Sequence, residues 1–268
     1  MVKRIFSLGT FLGIIFGFGL FIFAIMKSTE NYMIFVSINS VIMVLGGTLA
    51  ATMISFHAKY VFRSILSLFG IFFPQHVSAK KLTQDAMNVI EWSKINNKEG
   101  FKAVENIIET KKINDPIIQY SKDLISTGVK GEQLRILIED LIESSVEREL
   151  IDANILQTMA GFAPGFGMIG TLIGLIIMLD NMGGDIANVG PGLALALLTT
   201  LYGVIFAQLI FKPAAEKVRQ TQEMIRYRNV ILMESLVLLS EGKPSFEIQD
   251  QINRFLPPKS WIDLSKQS

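Results

Sequence analysis

Four long runs without a charged side chain constrain this sequence more than any other feature. The runs cover residues 5–26, 33–56, 153–179 and 186–211, and each is mainly apolar. A helix needs roughly 20 such residues to cross the hydrocarbon core of a bilayer. Because no water is present there to satisfy the backbone, a single spanning segment must be helical. The sequence therefore predicts an all-α, polytopic membrane protein with four transmembrane helices.

The charged residues lie between and after these runs, which predicts four segments along the chain. Residues 1–56 hold the first pair of spans, and residues 57–152 form a cytoplasmic helical domain. Residues 153–211 hold the second pair, which would line any ion path. Residues 212–268 form a cytoplasmic helix and tail. This division follows from the high free energy of a charge inside the bilayer.

The cytoplasmic domain opens with a short apolar stretch, residues 61–73, which contains Arg63 and is followed by Pro74. It is too short to span, so we expect a helix that lies on the membrane surface or packs under it. Beyond it, apolar spacing predicts soluble helices with one buried face. The positions concerned are Phe101, Val104, Ile107, Ile108, Leu134, Leu137, Ile138, Leu141 and Ile142. Asn114-Asp115-Pro116 predicts a turn or a helix start, and the helical pattern weakens after Gly242.

The basic residues near the ends of the runs predict the orientation. One side of the membrane would carry Lys3, Arg4, Lys59, Arg63, Lys212, Lys217 and Arg219. The other side has Lys27 as its one basic residue near a span. Since basic residues favour the cytoplasmic side, both termini are predicted to be cytoplasmic.

Composition argues against several classes of function. The formal net charge of +1 argues against a nucleic-acid partner. The chain has no cysteine, and His57 and His76 are not spaced as ligands, so we expect no metal site. The spans contain neither paired aspartates nor a serine with a histidine, so we expect no enzymatic activity and no cofactor.

Small residues form one face on three of the four runs. The first run carries Gly9, Gly13 and Gly17, a spacing that lets another helix approach closely. The third run has Ala163, Gly167, Thr171 and Gly174 at helical spacing. The fourth run has Gly192, Ala196, Thr199 or Thr200, Gly203 and Ala207. Such faces suit tight helix packing or the wall of a narrow polar path, and a threonine can also simply bond its own helix.

The four runs supply hydroxyl and carbonyl oxygens but contain no Asp or Glu. A proton relay needs a titratable group, and a dehydrated sodium ion needs oxygen ligands with a compensating negative charge. Either the chain forms no ion path, or another polypeptide supplies the acid. Pro164, inside the third run, and Pro213, just after the fourth, can each seed a kink or hinge.

Two segments make the sequence similar to a known family. They read GFAPGFGMIGTLIGLIIML from Gly161 and PGLALALLTTLYGVIFAQLIFKPAAEKV from Pro191. They resemble the third and fourth spans of the MotA/PomA family of flagellar stator subunits, within the MotA/TolQ/ExbB superfamily. The arrangement of two spans, a long cytoplasmic stretch, two spans and a tail also matches.

This resemblance implies a bacterial inner-membrane protein that forms a pentameric ring around a single-span MotB/PomB-type partner. The partner would carry the membrane aspartate and bind peptidoglycan, and ion flow would turn the flagellar rotor. Thr171, Thr199 and Thr200 match the hydroxyls of the ion pathway, and Pro164 and Pro213 match the prolines linked to conformational coupling. The LLTTLYG run is closer to the sodium-driven branch, which favours sodium over protons.

The residues expected to contact the rotor switch protein match the family pattern less well. That pattern has two adjacent basic residues followed by a glutamate. In NKEGFKAVE, Lys98 and Glu105 match, but Asn97 stands at the second basic position. These charges can equally form a solvated helix face.

Two other functions compete with a stator subunit. A TolQ/ExbB-like energiser of outer-membrane processes shares the last two spans, but that branch typically has three spans. A membrane scaffold without ion flux would not need its threonine hydroxyls.

Overall fold

The computed structural model describes residues 7–73, 79–182, 189–258 and 261–262, and these residues form helices and no strand. Four of the helical stretches are long and apolar enough to cross a membrane. The predicted all-α membrane protein with four spans is therefore confirmed. Pro74, His76 and the start of the fourth run at residues 186–188 lie outside the described residues, as do Lys3, Arg4 and the last six residues.

The helices follow one another with short connections. They are α1 (Leu8–Ser28), a 3-10 turn (Tyr32–Phe35), α2 (Ile38–Ser55), α3 (Ala58–Gly70), α4 (Ala79–Glu99), α5 (Phe101–Thr110), α6 (Pro116–Ser126), α7 (Gly131–Asn181), α8 (Val189–Ile205), a π-helical turn (Phe206–Phe211), α9 (Lys212–Ser240) and α10 (Ser245–Phe255).

The described residues form two compact units. One, the spanning unit, takes its residues from Ile5–Pro74 and Glu149–Gln220. The other, the polar unit, takes its residues mainly from Gln75–Arg148 and Thr221–Ser268. The four-segment division stays a prediction, because its boundaries are defined relative to a membrane.

The core of the spanning unit is built from small and aliphatic side chains. Its buried members include Val44, Ile155, Leu156, Met159, Ala160, Ala163, Ala207, Phe211, Ala214 and Ala215. By contrast, no residue of α1 is buried within the described chain. A helix apolar on all sides and exposed in a single chain is typical of a segment that faces lipid or another subunit.

Helix α3 has the form expected of a surface helix. It spans 13 residues, too few to cross a bilayer. Val61 and Ser64 are buried, whereas Phe62, Leu66 and Phe69 on the opposite face are each more than half exposed. The short helix predicted over residues 61–73 is therefore confirmed, but it begins and ends three residues earlier than predicted.

The polar unit has its own apolar core, and the predicted faces supply it. Val104, Ile108, Leu134, Ile138 and Ile142 are all buried. Asp115 is the N-cap of α6, because its carboxylate accepts hydrogen bonds from the backbone N–H groups of Ile117 and Ile118, with Pro116 at the first helical position. The helix start expected at this tripeptide is confirmed.

The expectation that helical structure fades after Gly242 is wrong. Gly242 has a φ of +72°, which ends α9 in the left-handed conformation that glycine tolerates. Pro244 then starts α10, and Ile248 and Ile252, one turn apart, are buried. Gly242 and Pro244 therefore separate two helices and do not end the helical region.

Candidate functional site

The small faces of α7 and α8 lie directly against each other. A β-carbon added to Gly174 would lie 2.6 Å from the backbone nitrogen of Ala196 and 2.6 Å from the carbonyl oxygen of Gly192. One added to Gly203 would lie 2.7 Å from the carbonyl oxygen of Ala163. These distances are shorter than any β-carbon tolerates, so the two backbones touch and glycine is required. The tight-packing interpretation of these faces is confirmed.

This close approach brings two hydroxyls together across the helix pair. The Oγ1 atoms of Thr171 on α7 and Thr200 on α8 lie 2.5 Å apart and share a hydrogen bond. Thr171 also donates toward the carbonyl oxygens of Gly167, at 3.2 Å, and Ala196, at 3.0 Å. Thr200 lies 3.3 Å from the same Gly167 carbonyl oxygen. Four oxygens from two helices, here called the oxygen cluster, therefore converge at one place.

The oxygen cluster has the right chemistry for a small hard cation but is uncharged. Hydroxyl and carbonyl oxygens are ligands that hard cations accept, and carbonyl rings can replace part of an ion's hydration shell. No Asp or Glu lies in any of the four apolar runs. The cluster can therefore coordinate an ion in part, whereas the compensating negative charge must come from elsewhere.

Thr199 is not brought into the oxygen cluster. Its hydroxyl donates within its own helix, to the carbonyl oxygens of Leu195 at 2.9 Å and Ala196 at 3.0 Å. The residue is fully buried, and its side chain packs against Gly170, where an added β-carbon would lie 2.5 Å away. Of the three threonines proposed for the ion pathway, the structure brings together Thr171 and Thr200.

Tyr202 is a further polar residue of α8, and the sequence predicted no role for it. Its hydroxyl donates to the carbonyl oxygen of Phe35 and accepts from the backbone N–H of Ser37 at 3.1 Å. Tyr202 thus connects α8, half a turn after Thr200, to the segment that leads into α2. The signal was a phenol inside an apolar run, because a buried tyrosine hydroxyl needs a hydrogen-bond partner.

The two prolines lie on α7 and α9, at the ends of the spans where the sequence predicts the cytoplasmic side. Pro164 is inside α7, which continues through it, and a β-carbon on Gly203 of α8 would lie 3.3 Å from its α-carbon. Pro213 is the second residue of α9 and follows the π-helical turn Phe206–Phe211. No pattern in the sequence predicted that turn, and turns of this kind are frequent at functional sites.

The predicted rotor-contact residues lie in the polar unit. Lys98, in the last turn of α4, is exposed, and Glu105 on α5 is half-buried. Gly100, with a φ of +82°, connects the two helices. Asn97, at the position where the family pattern has a second basic residue, donates from its amide to the carbonyl oxygen of Lys243 at 3.4 Å.

Asp152 belongs to a buried polar contact of the spanning unit, although no sequence motif pointed to this residue. Its Oδ1 accepts from Arg63 Nε at 2.9 Å and from the Ser64 hydroxyl at 3.0 Å. The hydrogen bond to Asp152 raises the pKa of the Arg63 guanidinium above its usual value. This contact joins α3 to α7 over 89 residues of sequence, and sequence spacing alone could not reveal it.

Comparisons with known proteins agree in pointing to one family. The model of the MotA/TolQ/ExbB proton channel family matches residues 109–229. Chemotaxis protein PomA of Vibrio alginolyticus is 30% identical over 257 residues, which cover 93% of this chain and 95% of PomA. Motility protein A of Aquifex aeolicus is 30% identical over 237 residues, covering 88% of this chain and 91% of that protein.

The fold is also that of a solved structure. A chain of the flagellar MotAB stator complex from Bacillus subtilis superimposes with a TM-score of 0.81. The match covers 93% of this chain and 96% of the other, at 22% sequence identity.

Proposed function

This chain belongs to the MotA/TolQ/ExbB proton channel family, and we propose from that membership that it is the stator subunit of a bacterial flagellar motor. It lies in the inner membrane with both termini in the cytoplasm and converts ion flow into torque on the rotor. It is not an enzyme and has no cofactor, since the transported ion is its cargo.

One observation carries the proposal. The oxygen cluster of Thr171, Thr200 and the carbonyls of Gly167 and Ala196 lies between two spans that contain no carboxylate. Such a wall can guide an ion but cannot bind it with a compensating charge. A single-span partner of the MotB/PomB type, which binds peptidoglycan, supplies the acid beside this wall. Solved relatives are named as MotAB complexes, which supports a two-protein assembly.

Sodium is the ion that the oxygen cluster favours. A proton can pass along a titratable carboxylate without a cage of oxygens, whereas a sodium ion that loses water needs replacement ligands. The Oγ1 atoms of Thr171 and Thr200 and the two carbonyls provide up to four. Swimming speed should then follow external sodium, and speed that ignores sodium but collapses with a proton uncoupler would contradict the choice of ion.

The remaining parts of the motor follow from the same membership. Five copies of the chain form a ring around two partner subunits, and Pro164 and Pro213 transmit the conformational change. Lys98 and Glu105 contact the rotor switch protein from the polar unit. Thr199, whose hydroxyl is engaged by its own helix, contributes to the ion pathway by supporting the wall.

The TolQ/ExbB-like alternative is disfavoured by the number of spans. Four described helices are apolar enough to cross the membrane, whereas that branch typically has three. The relatives reported above are named for motility and chemotaxis rather than for outer-membrane transport.

Changing Thr200 to valine tests the function directly. The change keeps the shape of the side chain but removes one ligand of the oxygen cluster, so we expect motility to be lost or to need about tenfold more sodium. The matched control is Thr158→Val on α7, since the Thr158 hydroxyl bonds only to the Asn154 carbonyl of its own helix among the contacts described. Each variant is expressed in a strain that lacks the native gene, motility is measured there, and the amount of each variant in the membrane is checked by immunoblot. Equal swimming of both variants at all sodium concentrations would contradict the role of the oxygen cluster.

A further inference from the structure

A groove of about 730 Å³ opens in the spanning unit, apart from the oxygen cluster. Helix α1 forms one wall, the end of α3 another, and the π-helical turn with the start of α9 the third. The lining is mostly apolar and includes Phe18, Leu68, Phe72 and Leu209. Its volume lies in the range of pockets that hold a ligand of moderate size.

The glycines of α1 explain why the groove exists. The sequence predicted that Gly9, Gly13 and Gly17 let another helix approach. A β-carbon on Gly17 would indeed lie 3.4 Å from the Leu209 side chain. A β-carbon on Gly9 or Gly13 would meet no described atom within 4 Å. The prediction therefore holds at Gly17 alone, and the other two glycines face open space along the groove.

The polar groups of the groove lie at one end. Going back along α1 from Gly17, the chain reaches Thr10 and Ser7, whose hydroxyls share a hydrogen bond of 2.8 Å. Leu209, which contacts Gly17 from the other side of the groove, is followed eight residues later by Lys217. A rise of 1.5 Å per residue puts these polar groups about 10–15 Å from the Gly17–Leu209 contact, in the same direction for antiparallel spans. The groove is thus apolar along its length, with Lys217 and the hydroxyls of Ser7 and Thr10 at one end.

We propose that this groove binds one anionic phospholipid, with an acyl chain along Gly9 and Gly13 and the phosphate beside Lys217. Water is not a stable occupant of an apolar groove at the level of the hydrocarbon core, whereas an acyl chain is always available there. Basic pockets between spans on the cytoplasmic side characteristically hold acidic head groups. The Ser7 and Thr10 hydroxyls add hydrogen-bond donors at the same end. This proposal does not depend on motor function.

Native mass spectrometry of the full-length protein in its purified complex tests the proposal. After removal of bound lipid in detergent, phosphatidylglycerol and phosphatidylcholine with identical acyl chains are added separately. We expect one phosphatidylglycerol per chain to be retained, with about fivefold weaker retention of phosphatidylcholine, the difference that one basic residue gives. Equal retention of the two lipids would overturn the choice of an anionic head group.

Two pairs of matched variants locate the site. Gly13→Leu fills part of the groove, so a bound acyl chain would be overpacked and lipid retention should fall about tenfold, whereas Gly19→Leu should leave lipid retention unchanged. Gly19 lies on the same helix with equally open space around it but does not line the groove. Lys217→Gln should remove the preference for phosphatidylglycerol, whereas Lys212→Gln, an exposed position outside the groove, should keep it.

Three results would overturn the proposal. Gly13→Leu and Gly19→Leu could have the same retention, or Lys217→Gln could behave as Lys212→Gln. Alternatively, Gly13→Leu could change the oligomeric state without changing lipid retention, which would mean that a second copy of the chain covers the groove. If Gly13→Leu does not fold, Gly9→Leu replaces it, since that position is equally open.

Discussion

At the residue scale, the α7–α8 contact depends on glycines, because a side chain at these positions would keep the two helices apart. The missing β-carbons of Gly174, Gly192 and Gly203 allow backbone contact, and this contact brings the Thr171 and Thr200 hydroxyls within hydrogen-bonding distance. In a membrane, where apolar burial does not drive helices together, such close packing supplies much of the association energy. The same glycines therefore serve stability and the geometry of the oxygen cluster.

Gly174→Ala tests this double role. The added β-carbon would meet the backbone of Ala196 and Gly192 at 2.6 Å, and backbone atoms cannot move aside as a flexible side chain can. We expect a loss of about 1–3 kcal/mol, the usual cost of overpacking. Gly165→Ala on the same helix is the control, since its β-carbon would meet nothing within 4 Å. Thermal unfolding in detergent is the measurement, and equal stabilities of the two variants would refute the backbone contact.

At the element scale, α3 is fixed to α7 by one buried acid. Asp152 is 6% exposed and accepts hydrogen bonds from both Arg63 and Ser64. Since α3 also presents Phe62, Leu66 and Phe69 outward, this contact determines which face of the helix meets the membrane surface. The orientation of α3 therefore depends on a polar contact as well as on its apolar pattern.

Asp152→Ala should loosen α3 without disturbing the spans. It removes the hydrogen-bonded ion pair with Arg63 and the hydrogen bond from Ser64, and because the Arg63 side chain is 42% exposed, the cost is about 1–2 kcal/mol rather than that of a fully buried pair. The raised pKa of Arg63 keeps its charge at every physiological pH, so the loss should not vary with pH on its account. Limited proteolysis near residue 73 should accelerate, whereas Glu147→Ala, an exposed acid on the same helix, should leave the rate unchanged.

At the scale of the whole molecule, the polar unit is organised around a buried cation. The guanidinium of Arg228 on α9 contacts Asp85 on α4 at 2.7 Å and Asp115, the N-cap of α6, at 2.6 Å. Burial alone would lower the pKa of Arg228, but Asp115 and Asp85 together raise it above its ordinary value. The cation therefore stays charged over the whole physiological range, and deprotonation of Arg228 would remove its contribution to stability at pH values above the ordinary arginine pKa. Three helices that are distant in sequence thus meet at one side chain.

Arg228→Met should therefore unfold the polar unit at much lower denaturant concentration. Removing the cation leaves the Asp115 carboxylate without a cationic partner and leaves the buried Asp85 paired with the half-exposed Lys81 alone, which costs about 3–5 kcal/mol. Arg226→Met is the control, because its pair with Glu143 is exposed on both sides and contributes about 1 kcal/mol or less. The fluorescence of the buried Trp92 reports the unfolding. A shift for Arg228→Met no larger than that of the control would show that the buried pairs do not organise the unit.

Much of the architecture could be read from the sequence because its causes are local. The bilayer excludes charge, so the four spans appear as charge-free runs, and burial on one side of a helix leaves a period of 3.6 residues, as at Val104 and Ile108. The capping of α6 by Asp115 likewise depends on residues within one turn. Helix α10 was missed because Gly242 and Pro244 have the same appearance at a break between helices as at the end of helical structure.

The number of spans, their small faces and the absence of a carboxylate in them follow from the order of residues alone. The three-dimensional structure was needed to show that Thr200, and not its neighbour Thr199, meets Thr171, because adjacent helical residues point about 100° apart and the rotation of each helix is set by its partners. The same holds for the pairing of Arg63 with Asp152 and for the open space beside Gly9 and Gly13. Such features depend on residues far apart in the chain, and no local pattern records which of them will touch.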